Sequence, residues 1–261
     1  ENNCGFDTLT RPLVVLPNTV TSFFNVNTDN GCAPLTVNFN SNQTERNSLI
    51  WLWGEDSTSF ETGGLNRSHT YEEPGVYIAQ LVAISGCNID TFSREITVYP
   101  GPDASFNAPQ EVCLGQPVTI VNTSAQPYNT RWEFGDGTTH NGVNPPEKVY
   151  GATGQYTISM FVTDPLSGCV QRLEQTVNVR AFPVVDFTVP DEPVCQSQPI
   201  QFSNLTTGAQ SFYWDFGTKS APSLEESPAA FIEESGIVRV TLAAFTGPNL
   251  TGCSDTLVKT I

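Results

Sequence analysis

Trp132-Glu133-Phe134-Gly135-Asp136-Gly137 is the stretch that decides how this chain folds. Residues i and i+2 of a strand share a face, so Trp132 and Phe134 point into a core while Glu133 faces water. Burying such a pair is worth on the order of several kcal/mol at ~25 cal/mol per Å2. Gly135-Asp136-Gly137 then makes a tight turn, the glycines taking positive φ and the aspartate bonding local amides. The pattern recurs at Trp51-Leu52-Trp53-Gly54-Glu55-Asp56 and Trp214-Asp215-Phe216-Gly217. Aromatic residues beside acids also hold sugars, but recurrence at core spacing in every copy points to structural plugs.

Working outward, the motif tryptophans lie 81 and 82 residues apart. Cys32, Cys113 and Cys195 keep spacings of 81 and 82, and Cys87, Cys169 and Cys253 keep 82 and 84. Tyr71, Tyr150 and Phe231 follow each tryptophan by 17 to 20 residues and are read as core partners of Trp51, Trp132, Trp214, Phe134 and Phe216. Gly75-x-Tyr77 and Gly154-x-Tyr156 repeat as well, weakening to Gly236-x-Val238. Between the landmarks run short alternating segments with buried phases Tyr77/Ala79/Leu81/Ala83, Tyr156/Ile158/Met160/Val162 and Val238/Val240/Leu242/Ala244. The opposite phase (Gln155, Thr157, Ser159) is polar, as a half-exposed antiparallel strand requires. About seven strands in roughly 80 residues is the count of an immunoglobulin-like sandwich. The expected fold is therefore all-β: tandem sandwiches in a linear array, with repeats at 18–99, 100–181 and 182–261. Residues 1–17 align without a gap on the end of the first repeat, Cys4 on Cys87 and Pro17 on Pro100, and read as the last strand of a preceding repeat.

Composition agrees. Charged residues are 15%, yet Asp and Glu outnumber Lys and Arg by 27 to 11, giving a formal charge of −16. Such a surface repels phosphate backbones and anionic lipid, so neither nucleic acid nor membrane insertion is expected. Seven cysteines without a CxxC pair argue for disulfides in an oxidising compartment rather than for zinc. With Glu1 first and no signal-type segment, the chain reads as a mature or excised piece, secreted or at a cell surface.

At these residues the sequence resembles the PKD domain family. The likeness rests on Trp132-x-Phe134-Gly135-Asp136-Gly137, on His69-x-Tyr71 and on Gly75-x-Tyr77, and it covers about residues 18 to 261. The third copy departs, with Thr218-Lys219 at the Asp-Gly position and Phe231 and Val238 replacing tyrosines. The added cysteines, in Val112-Cys113-Leu114-Gly115-Gln116-Pro117 and Ser167-Gly168-Cys169, look like those of tandem PKD repeats in large surface proteins of Bacteroidota-type bacteria. The resemblance implies spacers and ligand-contact modules of adhesins, filaments and the non-catalytic arms of secreted hydrolases. Fold alone does not choose among these.

Cysteine pairing has three readings. Pairing within repeats would join Cys32–Cys87, Cys113–Cys169 and Cys195–Cys253. In an immunoglobulin-like sandwich, however, the first cysteine precedes the second strand at one pole and the second follows the sixth strand at the other. About 30 Å separates the poles at ~3.3 Å per residue, whereas a disulfide tolerates only about 4.4–6.8 Å between α-carbons. Stapling of consecutive repeats, Cys32 to Cys169 and Cys113 to Cys253, satisfies both lengths, leaving Cys4, Cys87 and Cys195 for neighbouring repeats of a longer chain. Links between separate chains are the third reading.

Signals of catalysis are thin. His69 and His140 are the only histidines, and no GxSxG, HExxH or phosphate loop occurs. His69 sits at the His-x-Tyr strand position, a structural one, and Glu72/Glu73, Glu225/Glu226 and Glu233/Glu234 read as solvated loop charge. No catalytic, cofactor-binding or metal site is expected. Calcium is the one cation left open, at Asn25–Gly31 or at Asp103, Asp186 and Asp191 near the joints. Five Asn-x-Ser/Thr sequons begin at Asn42, Asn66, Asn122, Asn204 and Asn249, and Asp7-Thr-Leu, Asp56-Ser-Thr and Asp255-Thr-Leu resemble O-glycosylation triplets. The expected role is a segment of a long extracellular fibre or surface adhesin. Its partners are neighbouring repeats, identical chains in a filament, or a surface ligand. The alternative is a glycan- or ligand-binding spacer of a secreted hydrolase.

Overall fold

A computed structural model of the chain describes residues 9–13, 20–42, 48–56, 60–86, 88–125, 128–190, 194–195, 198–217, 219–233 and 235–261. They form strands and turns, and among them no helix is long and apolar enough to cross a membrane. The chain divides into two compact units, residues 1–102 with 164–169, and residues 103–163 with 170–261.

The first unit holds one sandwich. Its larger sheet orders the strands Asn30–Cys32, Ile89–Tyr99, Gly75–Ile84, Ser48–Leu52 and Phe60–Thr62. Facing it are Phe24–Val26, Leu35–Ser41 and Asn66–Tyr71. The apolar phases meet between the sheets, Phe24, Val37, Phe39 and Tyr71 from one side and Leu49, Trp51, Ala79, Leu81, Ala83, Ile96 and Val98 from the other. Trp51 is fully buried, with Phe24 at 5.3 Å, Phe39 at 5.8 Å and Trp53 stacked at 5.9 Å.

The second unit holds two such cores. In the first, the sheet runs Glu111–Cys113, Val170–Arg180, Gly154–Thr163, Asn129–Glu133 and Thr139–Asn141, and Trp132 and Phe134 are buried with Tyr150, Ile158, Met160, Val162 and Val177. In the second, Ser211–Asp215, Arg239–Phe245 and Ser254–Thr260 form the main sheet over Trp214, Phe216, Ile200, Phe202, Val240 and Leu242. Each buried indole keeps its N–H satisfied. Trp51 donates to the Gly64 carbonyl (3.1 Å), Trp132 to Gly142 (3.0 Å) and Trp214 to Glu225 (3.0 Å).

Two details differ from the sequence reading. Phe231 is not a core residue: it is 56% exposed, while Ile232 is 3% exposed and packs beneath Trp214's sheet. The strand Ala229–Phe231 pairs with Pro199–Gln201 so that Ala230 and Ile232 point inward, and an offset of one residue moves a side chain to the opposite face. Measured by burial, Ile232 takes the place of Tyr71 and Tyr150. Ser159, on the polar phase, is buried, because Glu174 accepts its hydroxyl (2.8 Å) and Arg172 reaches over it (3.4 Å).

The glycine after the aromatic pair has a measurable job. A Cβ on Gly135 (φ +77°) would stand 2.8 Å from both the N and O of Thr157, and one on Gly54 (φ +86°) 2.6 and 2.7 Å from those of Ile78. The turn therefore rests directly on the neighbouring strand's backbone, which cannot retreat without breaking its ladder. Gly137 has the same left-handed backbone (φ +85°) but open space around it. Gly137→Ala is expected to cost about 1 kcal/mol from backbone conformation alone, and Gly135→Ala at least about twice that. Urea denaturation of the two variants checks this, and equal losses would remove the close-approach explanation.

Candidate functional site

The features that distinguish this chain from a string of plain sandwiches are its cysteines. Cys32 ends the edge strand Asn30–Cys32, which runs parallel to Ile89–Tyr99 and places Cys32 in register with Tyr99. In the second repeat Glu111–Cys113 runs parallel to Val170–Arg180, with Cys113 in register with Arg180. Gln110 O accepts from the Asn178 amide (2.8 Å), Arg180 O from the Leu114 amide (2.8 Å), and Arg180 Nε donates to Glu111 (2.9 Å). The first cysteine of each of these repeats thus sits where its last strand ends.

The second cysteine sits at that strand's beginning. Cys169 closes the turn Asp164–Cys169. Asp164 donates its amide to Cys169 O (2.9 Å), and its carboxylate accepts from the Ser167 hydroxyl (2.7 Å) and then the Leu166 amide (3.0 Å), two bonds that hold the carboxyl below the usual range. Cys253 ends the equivalent turn, its amide donating to the Thr246 hydroxyl (2.9 Å). Eleven residues, Val170–Arg180, separate Cys169 from the register position of Cys113, a span of about 36 Å at ~3.3 Å per residue. No disulfide crosses that distance. Instead Cys32 is bonded to Cys169 and Cys113 to Cys253, each with α-carbons 5.6 Å apart. Cys169 and Cys253 are buried, and the Cys253 sulfur lies 3.9 Å from Arg180 O. Cys195 is a free, exposed thiol. Cys4 and Cys87 lie outside the described residues, as do the segment 1–8, 14–17 and Asp191.

The remaining candidates serve packing. The His69 ring stacks on Trp53 (4.6 Å) and meets the Tyr71 edge (4.8 Å), with Nε2 3.2 Å from a Glu55 oxygen but without hydrogen-bond alignment. Tyr71 donates its hydroxyl to Trp53 O (3.0 Å) and Tyr150 to Phe134 O (2.8 Å), tying the aromatic motif to a strand of the facing sheet. Burial first, then the nearby Asp136 charge and Tyr156, pushes the Tyr150 phenol up to about 12. Asp186 accepts from Lys259 Nζ (2.7 Å) and the Phe187 amide (2.8 Å), so its charge is already met. Among the described residues no three His, Cys, Asp or Glu side chains converge as a metal site. Of the sequon asparagines, Asn122 donates its side-chain amide to Val143 O (2.7 Å) and Asn249 has φ +53°. A hollow on the outer face of the second repeat's sheet includes Arg131, Phe161 and Val170. The Arg131 and Arg172 guanidinium groups lie 4.3 and 5.4 Å from the Phe161 ring centre, and each is paired with a glutamate, Glu133 or Glu174.

Two facing sheets closed over a tryptophan plug, with a parallel edge strand, define immunoglobulin-like β-sandwich modules. Residues 99–181 match the family model of the PKD domain and form one. Over 136 residues, half of this chain, the sequence is 30% identical to a microbial collagenase of Vibrio alginolyticus, and the match covers 16% of that protein, so the chain spans about a sixth of its relative's length. Among solved structures, the three N-terminal domains of the bacteriophage RB49 highly immunogenic outer capsid protein align over 92% of this chain and 96% of theirs, at TM-score 0.36 and 11% identity. Clostridium thermocellum CbhA fibronectin(III)-like modules align over 61% of this chain and 95% of theirs, at TM-score 0.30 and 13% identity.

Non-reducing peptide mapping is expected to recover Cys32 joined to Cys169 and Cys113 joined to Cys253. A Cys113–Cys169 peptide would overturn the geometry above. A second test concerns the motif aspartate. Lys148 Nζ lies 2.6 Å from Asp136 and also over the Phe134 and Tyr150 rings, at 5.3 and 5.6 Å. Partial burial raises the Asp136 pKa, but bonds from Lys148 and Thr138 outweigh it and hold the carboxyl at about 2, against 3.8 unperturbed. A depressed carboxyl stabilises the fold fully above its unfolded pKa and loses that contribution as pH falls toward the folded value, here between about 4 and 2. After allowance for solvent screening the effect is roughly 1 kcal/mol. Urea unfolding of Lys148→Met should show a smaller loss than the native protein on going from pH 5 to pH 2. Equal losses would show that the pair contributes nothing.

Proposed function

We propose that this chain is a structural repeat segment of a long extracellular fibre or cell-surface adhesin, giving rigid mechanical extension. The single observation that carries the reading is the disulfide connectivity. A bridge from one repeat to the following one resists bending and pulling at the joint, which a bridge inside a single sandwich would not. The acidic, lysine-poor composition and the disulfides fit secretion into an oxidising space. In this reading the repeats are spacers without catalysis, their partners are the neighbouring repeats, and a terminal tip carries the ligand.

The likeness to part of a collagenase favours a second reading, a spacer or ligand-binding arm of a secreted hydrolase. The two are separated by deleting one repeat from the parent protein in its own cells. The fibre reading expects gold-labelled antibodies against the tip to move about 40 Å closer to the cell per repeat removed, the length of an eleven-residue strand plus its linker. A parent protein found free in the medium, with hydrolytic activity, would transfer the chain to the second reading.

A further inference from the structure

The two disulfides interleave. Cys113 lies inside the loop closed by Cys32–Cys169, and Cys169 lies inside the loop closed by Cys113–Cys253, with sequence separations of 137 and 140. Side-by-side bridges would each shorten the chain independently. Interleaved ones open a new covalent route, from Cys32 across to Cys169, backwards through the second repeat to Cys113, and across to Cys253. Everything outside the Cys113–Cys169 segment is bypassed.

We infer that the interleaved pairs are a strain limiter: under tension the chain is held by covalent bonds long before its sandwiches could unravel to full length. The limit follows from lengths alone. A polypeptide extends to about 3.5 Å per residue, so the reduced stretch from Cys32 to Cys253 reaches about 770 Å, whereas the oxidised route through Cys113–Cys169 stops near about 200 Å. That is roughly a fourfold cap on extension.

Folded geometry delays even this. The attachment points on the second repeat, Cys169 and Cys113, stand at opposite ends of Val170–Arg180. Load between them is carried by a strand that is already extended and by the parallel ladder to Glu111–Cys113. Pulled along the strand axis, that ladder's bonds share the force and do not open one at a time. The ladder is reinforced by the Arg180–Glu111 ion pair.

The biological meaning of the limiter rests on the load-bearing function proposed above, but its test needs only the purified chain. Pulling by optical tweezers from the two termini, with Cys4, Cys87 and Cys195 replaced by serine, reads the contour length between the staples after the terminal segments are subtracted. The expected values are about 200 Å oxidised, about 290 Å when either Cys32→Ser/Cys169→Ser or Cys113→Ser/Cys253→Ser removes one bridge, and about 770 Å after reduction. An oxidised chain reaching the reduced length, or the loss of one bridge releasing the full length, would overturn the inference. A chain that stops near 200 Å while its parent proves to be a free hydrolase would retire the fibre and leave the limiter standing.

Discussion

Two lengths govern this molecule: the 5.6 Å between bonded cysteine α-carbons and the roughly 36 Å of an eleven-residue strand. A short parallel edge strand brings the first cysteine beside the exit of the last strand, and the hairpin before that strand holds the second cysteine at its entrance. One repeat then cannot bond to itself, because its own last strand stands between the two sulfurs. Reversing the edge strand in place would only move Cys113 from opposite Arg180 to opposite Asn178, still about 30 Å from Cys169 at ~3.3 Å per residue, so it is the strand's place at the far end of Val170–Arg180 that rules out an internal bridge. The register of three residues, Glu111–Cys113, against Asn178–Arg180 thus keeps Cys113 out of reach of Cys169.

Within each bead the cohesion is ordinary sandwich physics arranged around one indole. The tryptophan fills the space between the sheets and its N–H finds a carbonyl, so burial carries no unsatisfied donor. A second recurring device is a clasp from one register position of the last strand to the segment entering the repeat. Arg94 donates to Asp29 (2.9 Å). Gln175 donates to Phe106 O (2.6 Å) and accepts from the Ala108 amide (3.1 Å). Lys259 donates to Asp186 (2.7 Å) and Phe187 O. Three side chains of different chemistry do one task, because the constraint is the position opposite Ala79, Ile158 and Val240 rather than a particular charge.

The plugs and the alternating strands were legible in the sequence because period-two burial writes itself directly into residue order. Trp132 and Phe134 could not face water without reversing every neighbour on their strand. Phe231 misled because aromatic identity outweighed register: Ala229-Ala230-Phe231-Ile232 offers two apolar phases, and only the pairing with Pro199–Gln201 chooses between them. The parallel edge strand was not legible. Asn30–Cys32 and Glu111–Cys113 are too short to show a period, and their pairing partners lie nearly seventy residues away. The clasp was invisible for the same reason, since Arg94, Gln175 and Lys259 share no residue type.

The third repeat shows what the covalent arrangement permits. With Ile232 and Val238 where the first two copies have tyrosines, it forgoes the phenol bonds to the aromatic motif and the ring stacks of Tyr71 on Tyr77 and Tyr150 on Tyr156. Each such hydrogen bond contributes about 1 kcal/mol, a large part of what an eighty-residue sandwich can command. In an array that met tension by folding stability alone, the least stable bead would set the strength of the whole, and such losses would be selected against. A bridge between neighbours changes that dependence. Cys253 opens the last strand of the third repeat and is bonded to Cys113, so tension applied at Ile261 would reach the second repeat through that one strand, Ser254–Thr260, and a sulfur bond. Under the load-bearing role proposed above, that strand is the part of the third sandwich on the covalent route, and the plainer aliphatic packing of the rest of its core lies beside it.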